Sequence, residues 1–357
     1  MQRSTTYQDI RTLSQKELEE LTHELGQPSF RSKQLISWLF EKNVCSFDEM
    51  TNLPKSFRNQ LAERFSFNVP TEKAQQVSRD GSRKYLLEFS DGTSVETVGM
   101  PNRNRLAVCI STQAGCAMGC AFCATGLHGL ARSLAAREMV DQVLHVKKDF
   151  NERVTSVVFM GQGEPFANFD ETLAALRILN DPQGLGIGAR HLTVSTCGLI
   201  PGIRKFATIE EQFTLSVSLH SAVQSTRNLL MPGVKRFTLL RLYETLQDYT
   251  EKTGRRPSYE YAMIDGVNDT TPEMNALIDF CQGTLCHVNL IQLNDIADSP
   301  LKPSPLEKVK LLQRRLKMHG VETTIRNSRG SDIDAACGQL KQRFSVPNLG
   351  YLPSIVS

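Results

Sequence analysis

The stretch Leu106-Ala-Val-Cys109-Ile-Ser-Thr-Gln-Ala-Gly-Cys116-Ala-Met-Gly-Cys120-Ala-Phe-Cys123 is where the fold becomes readable. Leu106 to Ser111 is a β-rich run, and the segment after it places three thiols in one loop at a strand end. The same rhythm repeats downstream. β-rich runs at Val154 to Met160, Leu192 to Thr196, Thr214 to Leu219, Ser258 to Met263, Val288 to Leu293 and Val321 to Ile325 alternate with helical patterns such as Ala136 to Lys148, Leu239 to Glu251 and Leu306 to His319. Strands alternating with helices imply a parallel sheet with right-handed crossovers, so the fold class is α/β. Six or seven such units are too few to close an eight-stranded barrel. The expectation is an open, partial (β/α)6-type barrel with its functional loops at the C-terminal ends of the strands.

Upstream, Leu13 to Phe65 has helical periodicity, with Leu18, Leu21 and Leu25 in one run and Leu35, Ile36, Leu39 and Phe40 in the next. Pro54 begins a third helix. Residues 1–75 therefore read as a small N-terminal helical domain, and the polar stretch Pro70 to Gly81 reads as the connection onward. Asp91-Gly92 lies between Lys84-Tyr-Leu-Leu-Glu-Phe and Ser94-Val-Glu-Thr-Val, a hairpin signal that makes 76–101 a linker with a β-hairpin. Residues 102–340 form the barrel core, and 341–357 read as a loosely held tail.

With 357 residues and 40% hydrophobic content the chain can bury a sizeable core. Lys+Arg 41 against Asp+Glu 38 leaves a net charge of +3, too weak to imply nucleic acid by itself. RNA contact would have to come from local pairs such as Arg103 with Arg105, Lys147 with Lys148, Arg314 with Arg315, and Arg326 with Arg329. Met1 to Asp9 lacks the apolar core of a signal peptide, and no stretch reaches the roughly 18 apolar residues of a membrane span, so a cytoplasmic location is expected. In that compartment nine cysteines are not a disulfide framework, and the clustered ones point to metal or catalysis.

Three thiolates at CxxxCxxC spacing, Cys116, Cys120 and Cys123, can anchor three irons of a four-iron cubane and leave the fourth open. An open iron can be chelated by the amino and carboxylate groups of a methionine-like ligand, the arrangement of the radical S-adenosylmethionine (SAM) superfamily. The alternative is a zinc site with Cys109 as fourth ligand, in a non-catalytic RNA-binding protein. Gly161-Gln-Gly163-Glu164-Pro165 follows the next strand, and a comparable segment in radical SAM proteins binds the SAM amino group. Ser195, then Ser218-Leu219-His220, then Asn294 end further strands at the same rim, and their convergence favours a cofactor site.

The chain resembles the RlmN and Cfr family of RNA adenine methyltransferases over nearly its whole length. The matches run from Phe30-Arg-Ser-Lys-Gln through Val95-Glu96-Thr-Val, Cys109-Ile-Ser-Thr-Gln-Ala-Gly-Cys116, Ser218-Leu-His-Ser and Met263-Ile-Asp-Gly-Val-Asn-Asp269 to Ile333-Asp-Ala-Ala-Cys337-Gly-Gln. The resemblance implies an accessory RNA-binding role for the helical domain of residues 1–75, a [4Fe-4S] cluster, two uses of SAM, and a methyl group carried on Cys337 to a carbon of adenine. It further implies that Cys109 resolves the covalent link through a transient disulfide with Cys337, and that Glu96 takes the proton from the substituted base. An RlmN-type enzyme would act on C2 in 23S rRNA and tRNA with an electron donor such as flavodoxin or ferredoxin; a Cfr-type enzyme would act on C8 of a 23S rRNA adenosine. Pro165 looks like RlmN, whereas Ala167-Asn168 and Cys123-Ala-Thr-Gly126 also occur in Cfr-like chains, and Gln162 and Gln292 depart from the usual pattern. Cys45, Cys197, Cys281 and Cys286 read as small buried hydrophobes.

Overall fold

The computed structural model describes residues 8–42, 44–182, 184–294, 299–326 and 328–340. The chain begins with β1 (Gln8–Asp9), α1 (Gln15–Glu24), α2 (Phe30–Ile36), α3 (Lys55–Ala62) and β2 (Phe65–Ser66), with β1 and β2 paired in parallel. A capping box at Ser14 and Glu17 starts α1, and the apolar faces close over Leu18, Leu35, Leu39, Phe57 and Leu61.

An antiparallel run then forms from β3 (Thr71–Val77), β4 (Arg83–Glu88), β5 (Ser94–Asn102) and β6 (Arg105–Cys109). The hairpin at Asp91-Gly92 is present, but the stretch from Pro70 is not a bare connection. Thr71–Val77 is the outermost strand of the main sheet, so a boundary at residue 75 falls inside β3. Its sequence is polar because the strand is an edge, with most of its residues exposed, and edge strands are commonly charged. That polarity disguised it.

After β6 come a short ribbon, β7 (Gln113–Gly115) with β8 (Leu130–Ser133), and α4 (Ala136–Phe150). The alternation continues through β9 (Val154–Phe159), α5 (Phe169–Asn180), β10 (Leu192–Thr196), α6 (Ile200–Phe206), β11 (Thr214–Ser218), α7 (Gln224–Leu230), α8 (Leu239–Thr253), β12 (Ser258–Met263), α9 (Thr271–Cys281), β13 (His287–Gln292), α10 (Leu306–Met318) and β14 (Glu322–Arg326). β6 pairs in parallel with β9, and each later strand with the one before it, giving the order β14-β13-β12-β11-β10-β9-β6-β5-β4-β3. This is the open, partial barrel the alternation predicts, extended at one edge by antiparallel strands. The main core lies between the sheet and α4 to α6 and α8 to α10, with Val157, Val194, Leu215, Val217 and Leu290 wholly buried.

Two devices join the parts. Arg11, 1% exposed, pairs with Asp9 at 2.5 Å and with Asp141 of α4 at 2.6 Å, while Arg137 pairs with Asp141 at 2.8 Å. The segment after β14 turns back across the sheet. Asp332 accepts from Ser78 Oγ at 2.5 Å and Arg79 N at 3.1 Å, and Gly330 N donates to Asp80 at 3.1 Å. The tail expected at 341–357 lies outside the described residues.

Candidate functional site

The cysteine loop leaves β6 under tight control. Gln142 of α4 clamps Ser111, accepting from its N–H at 2.8 Å and donating to its carbonyl at 2.9 Å. Cys116 N donates to Gly129 O at 2.8 Å, and Cys123 N to Cys120 O at 3.1 Å. The loop thereby turns Cys116, Cys120 and Cys123 toward one cavity at the C-terminal strand ends, shared with Gly163, Glu164, Ser195, Ser218, His220 and Asn294. Leu219 does not join them. Its side chain is wholly buried in the main core, and only its backbone is near, donating to Glu260 O at 3.0 Å. The alternation of β11, carried one residue past its end, places the Leu219 side chain with Leu215 and Val217 in the core while Ser218 faces the cavity.

The donor set, three thiols lining one cavity, suits an iron–sulfur cluster, whose usual ligands are Cys thiolates. Burial, with the neighbouring thiols adding to it, pushes Cys116 up to about 12, and burial also raises Cys123. Such thiols become thiolates when a bound metal supplies the opposing charge. Cys109, the fourth ligand of the zinc alternative, lines a second, adjoining cavity.

Glu164 is buried, and burial raises its carboxyl above the usual range against two backbone donors, Cys197 N at 2.6 Å and Phe166 N at 2.9 Å. Gly163 has φ +103, and a Cβ there would lie 2.6 Å from Gln113 Cβ, so the turn that presents Glu164 requires glycine. His220 stands in the left-handed region, φ 55, and accepts from Ala262 N on Nδ1 at 3.0 Å. Burial, reinforced by Arg227, pushes it down to about 3. A neutral ring with its proton on Nε2 is the result.

The second cavity contains Cys109, Met100, Ala335 and Leu340 and shares Met160, Ile291, Arg326 and Cys337 with the first. Cys337 is exposed and stands where the two meet. Its carbonyl accepts from Asn294 Nδ2 at 3.1 Å. Burial, with Cys337 adding to it and Arg326 opposing, pushes Cys109 up to about 12. Glu96 is wholly buried and paired with Lys84 at 3.0 Å, and Lys84 also donates to Asp334 O at 3.2 Å. Glu96 lines neither cavity but is linked through Lys84 to the loop that carries Cys337.

Two cavity residues were missed as site candidates. Glu260 accepts from Ser216 Oγ at 2.8 Å and Asn289 Nδ2 at 2.9 Å and faces Arg326 at 3.7 Å. Its signal was a charged residue at an inward position of a buried strand. Cys197, set aside as a core cysteine, lines the first cavity, and Cys45 is exposed rather than buried.

An open α/β barrel whose first parallel strand feeds a three-cysteine loop, with a Gly-Glu-Pro turn after the next strand, defines a radical SAM protein. The Radical SAM superfamily model matches residues 110–278, and the model for the ribosomal RNA large subunit methyltransferase N-terminal domain matches residues 8–66. A probable dual-specificity RNA methyltransferase RlmN from Alkaliphilus oremlandii is 45% identical over 336 residues, 94% of this chain and 98% of that one. Its counterpart from Geobacillus kaustophilus is 45% identical, covering 94% and 92%. The crystal structure of a radical SAM methyltransferase from Sphaerobacter thermophilus superposes with TM-score 0.89 at 40% identity, covering 93% of this chain and 99% of that one. The chain belongs to the RlmN family of radical SAM RNA methyltransferases.

Proposed function

We propose that this enzyme methylates C2 of adenosine in 23S rRNA and tRNA through a methyl group carried on Cys337. The observation that carries the reading is the placing of Cys337 at the junction of a cysteine-lined cavity and a second cavity containing Cys109. Cys116, Cys120 and Cys123 would hold a [4Fe-4S] cluster. Gly163, Glu164, Ser195, Ser218, His220 and Asn294 would hold SAM, with Leu219 contributing only backbone, and the buried Glu164 carboxylate is suited to an ammonium group. When bound, these groups supply the one-electron chemistry that removes a hydrogen atom from an S-methyl group.

This chain's residues then direct the carbon. Asn294 fixes the Cys337 backbone, so the carried methyl group can face the cysteine-lined cavity, while a base turned out of its stack enters from the other side. Once the carbon is joined to the base, the ring hydrogen leaves as a proton, for which Glu96 is the acceptor. That role requires the Lys84 pair to open. As the Cys109 thiol loses its proton and closes a disulfide with Cys337, the Cys337 sulfur–carbon bond breaks and its electron pair goes to the methylene carbon, which takes up a proton to become the methyl group. The one surplus electron left by the radical addition returns to the electron-donor pool, and an external reductant restores both thiols. The electron for SAM would come from a donor such as flavodoxin or ferredoxin. No helix among the described residues is long and apolar enough to cross a membrane, in keeping with an enzyme acting on RNA in the cytoplasm.

Nucleoside mass spectrometry on 23S rRNA and tRNA tests this in a host lacking its own enzyme, with and without the gene. 2-Methyladenosine in both RNAs is expected. 8-Methyladenosine with unmodified tRNA would overturn the C2 reading and leave the carrier chemistry standing.

A further inference from the structure

Beneath the cysteine loop lies an arginine that neither the fold nor the SAM site accounts for. Arg227, in α7, is 0% exposed. Its Nη2 donates to Cys197 O at 2.7 Å, while Nε and Nη1 are buried without a hydrogen-bond partner. Among the described residues it forms no ion pair with a carboxylate, and its acceptor residue, Cys197, lines the same cavity as Cys120. The segment carrying it is tied to the loop itself: Ala121 N donates to Leu230 O at 2.9 Å and Gly233 N to Met118 O at 3.0 Å. Met231 packs in one apolar cluster with Cys120 and Phe122.

A buried guanidinium using one of its donors is costly unless an anion completes it. Three thiolates on a cluster are such an anion, and each added electron deepens their negative charge. We propose that Arg227 is the fixed counter-charge of the cluster, stabilising its reduced form and so raising its reduction potential. This rests on the cluster reading above. The low dielectric around the loop makes a fixed charge count there far more than at a surface.

The test compares wild type, Arg227→Lys and Arg227→Gln after anaerobic reconstitution. Iron and sulfide are assayed and the potential is followed by electron paramagnetic resonance. Arg227→Gln is expected to lower the reduction equilibrium constant by about tenfold or more, about 59 mV for one electron, and Arg227→Lys to stay near wild type. Loss of iron from Arg227→Gln alone, with Arg227→Lys loaded, would also support the proposal, because only the charge differs. Equal potentials in wild type and Arg227→Gln at matched iron content would overturn it. Thermal unfolding of the metal-free proteins is the second readout. Arg227→Gln should then be as stable as wild type or more so, since an incompletely satisfied charge has been removed; a lower melting temperature would make Arg227 a structural residue and overturn the proposal. A wild-type protein that takes up no iron would instead sink the cluster reading itself.

Discussion

Cys109 and Cys337 are two thiols in different surroundings. Burial, with Cys337 adding to it, holds Cys109 up to about 12, so at neutral pH it is a protonated thiol, while Cys337 is exposed at the cavity junction. A carrier must be reachable from both sides, and a resolving thiol should stay unreactive until the adduct forms. Cys337→Ala should therefore lose methylation before any covalent RNA complex appears, whereas Cys109→Ala should accumulate that complex. Denaturing gels of protein isolated from cells distinguish them, and equal adduct in both variants would remove the carrier mechanism. His220 offers a test by pH. Its folded value near 3 lies below the ordinary value of about 6.5. Its contribution to stability is therefore complete above about pH 6.5 and lost as pH falls toward 3. Asn tolerates the left-handed backbone, so His220→Asn should fold and should flatten the stability curve across that window by one proton, about 1.4 kcal/mol per pH unit. Denaturant titrations at a series of pH values measure the slope, and identical slopes would mean the histidine is not held neutral.

At the scale of elements, the segment after β14 is what brings Cys337 to the cysteine loop. Ala124 N donates to Gly338 O at 2.8 Å and Thr125 Oγ1 to Leu340 O at 2.9 Å. Gly338 has φ +82, and a Cβ there would meet Phe122 O at 3.0 Å. Gly338→Ala should cost about 1–2 kcal/mol in folding yet cut RNA methylation at least tenfold, on the order of 1.4 kcal/mol of misplacement at the reacting centre. Thermal unfolding alongside nucleoside analysis checks this; full methylation would show that the crossing tolerates movement. The sequence disclosed the barrel because buried parallel strands must be continuous apolar runs, and all seven runs from Leu106 onward are strands. It concealed Thr71–Val77 because a solvated edge carries no apolar alternation. Rim residues were legible where polar groups end strands, as with Ser195 and Ser218. Leu219 shares the motif while its side chain lies in the main core, because a motif names residues without saying which way each side chain faces. Glu260 and Cys197 escaped because their importance depends on what crosses the sheet to meet them.

At the scale of the whole molecule, the N-terminal unit must hold a fixed pose against the barrel if RNA gripped by one is to reach a cavity in the other. Surface contacts leave domains free to shift. Here the joint is a buried quartet of two carboxylates and two guanidinium groups, Asp9, Arg11, Arg137 and Asp141, and Arg11 bridges the two units. Burial pulls Arg137 down to about 10 and raises the Asp141 carboxyl, so each group depends on the others for its charge. Removing Arg11 leaves two buried carboxylates with one guanidinium. Breaking a buried pair in this way costs about 3–5 kcal/mol. The single tryptophan, Trp38, lies in the N-terminal unit and packs against its core, so its fluorescence reports that unit while circular dichroism is dominated by the barrel. In wild type the quartet should make both signals change together on urea unfolding. In Arg11→Met the Trp38 transition should move to lower urea and separate from the dichroism transition, and RNA methylation should fall further than SAM cleavage does. Coincident transitions at the wild-type midpoint would show that the quartet does not join the units, and the pose of the N-terminal unit would then have to be held by other contacts, such as Gln15 with Asp181 and Ile178 against the N-terminal core.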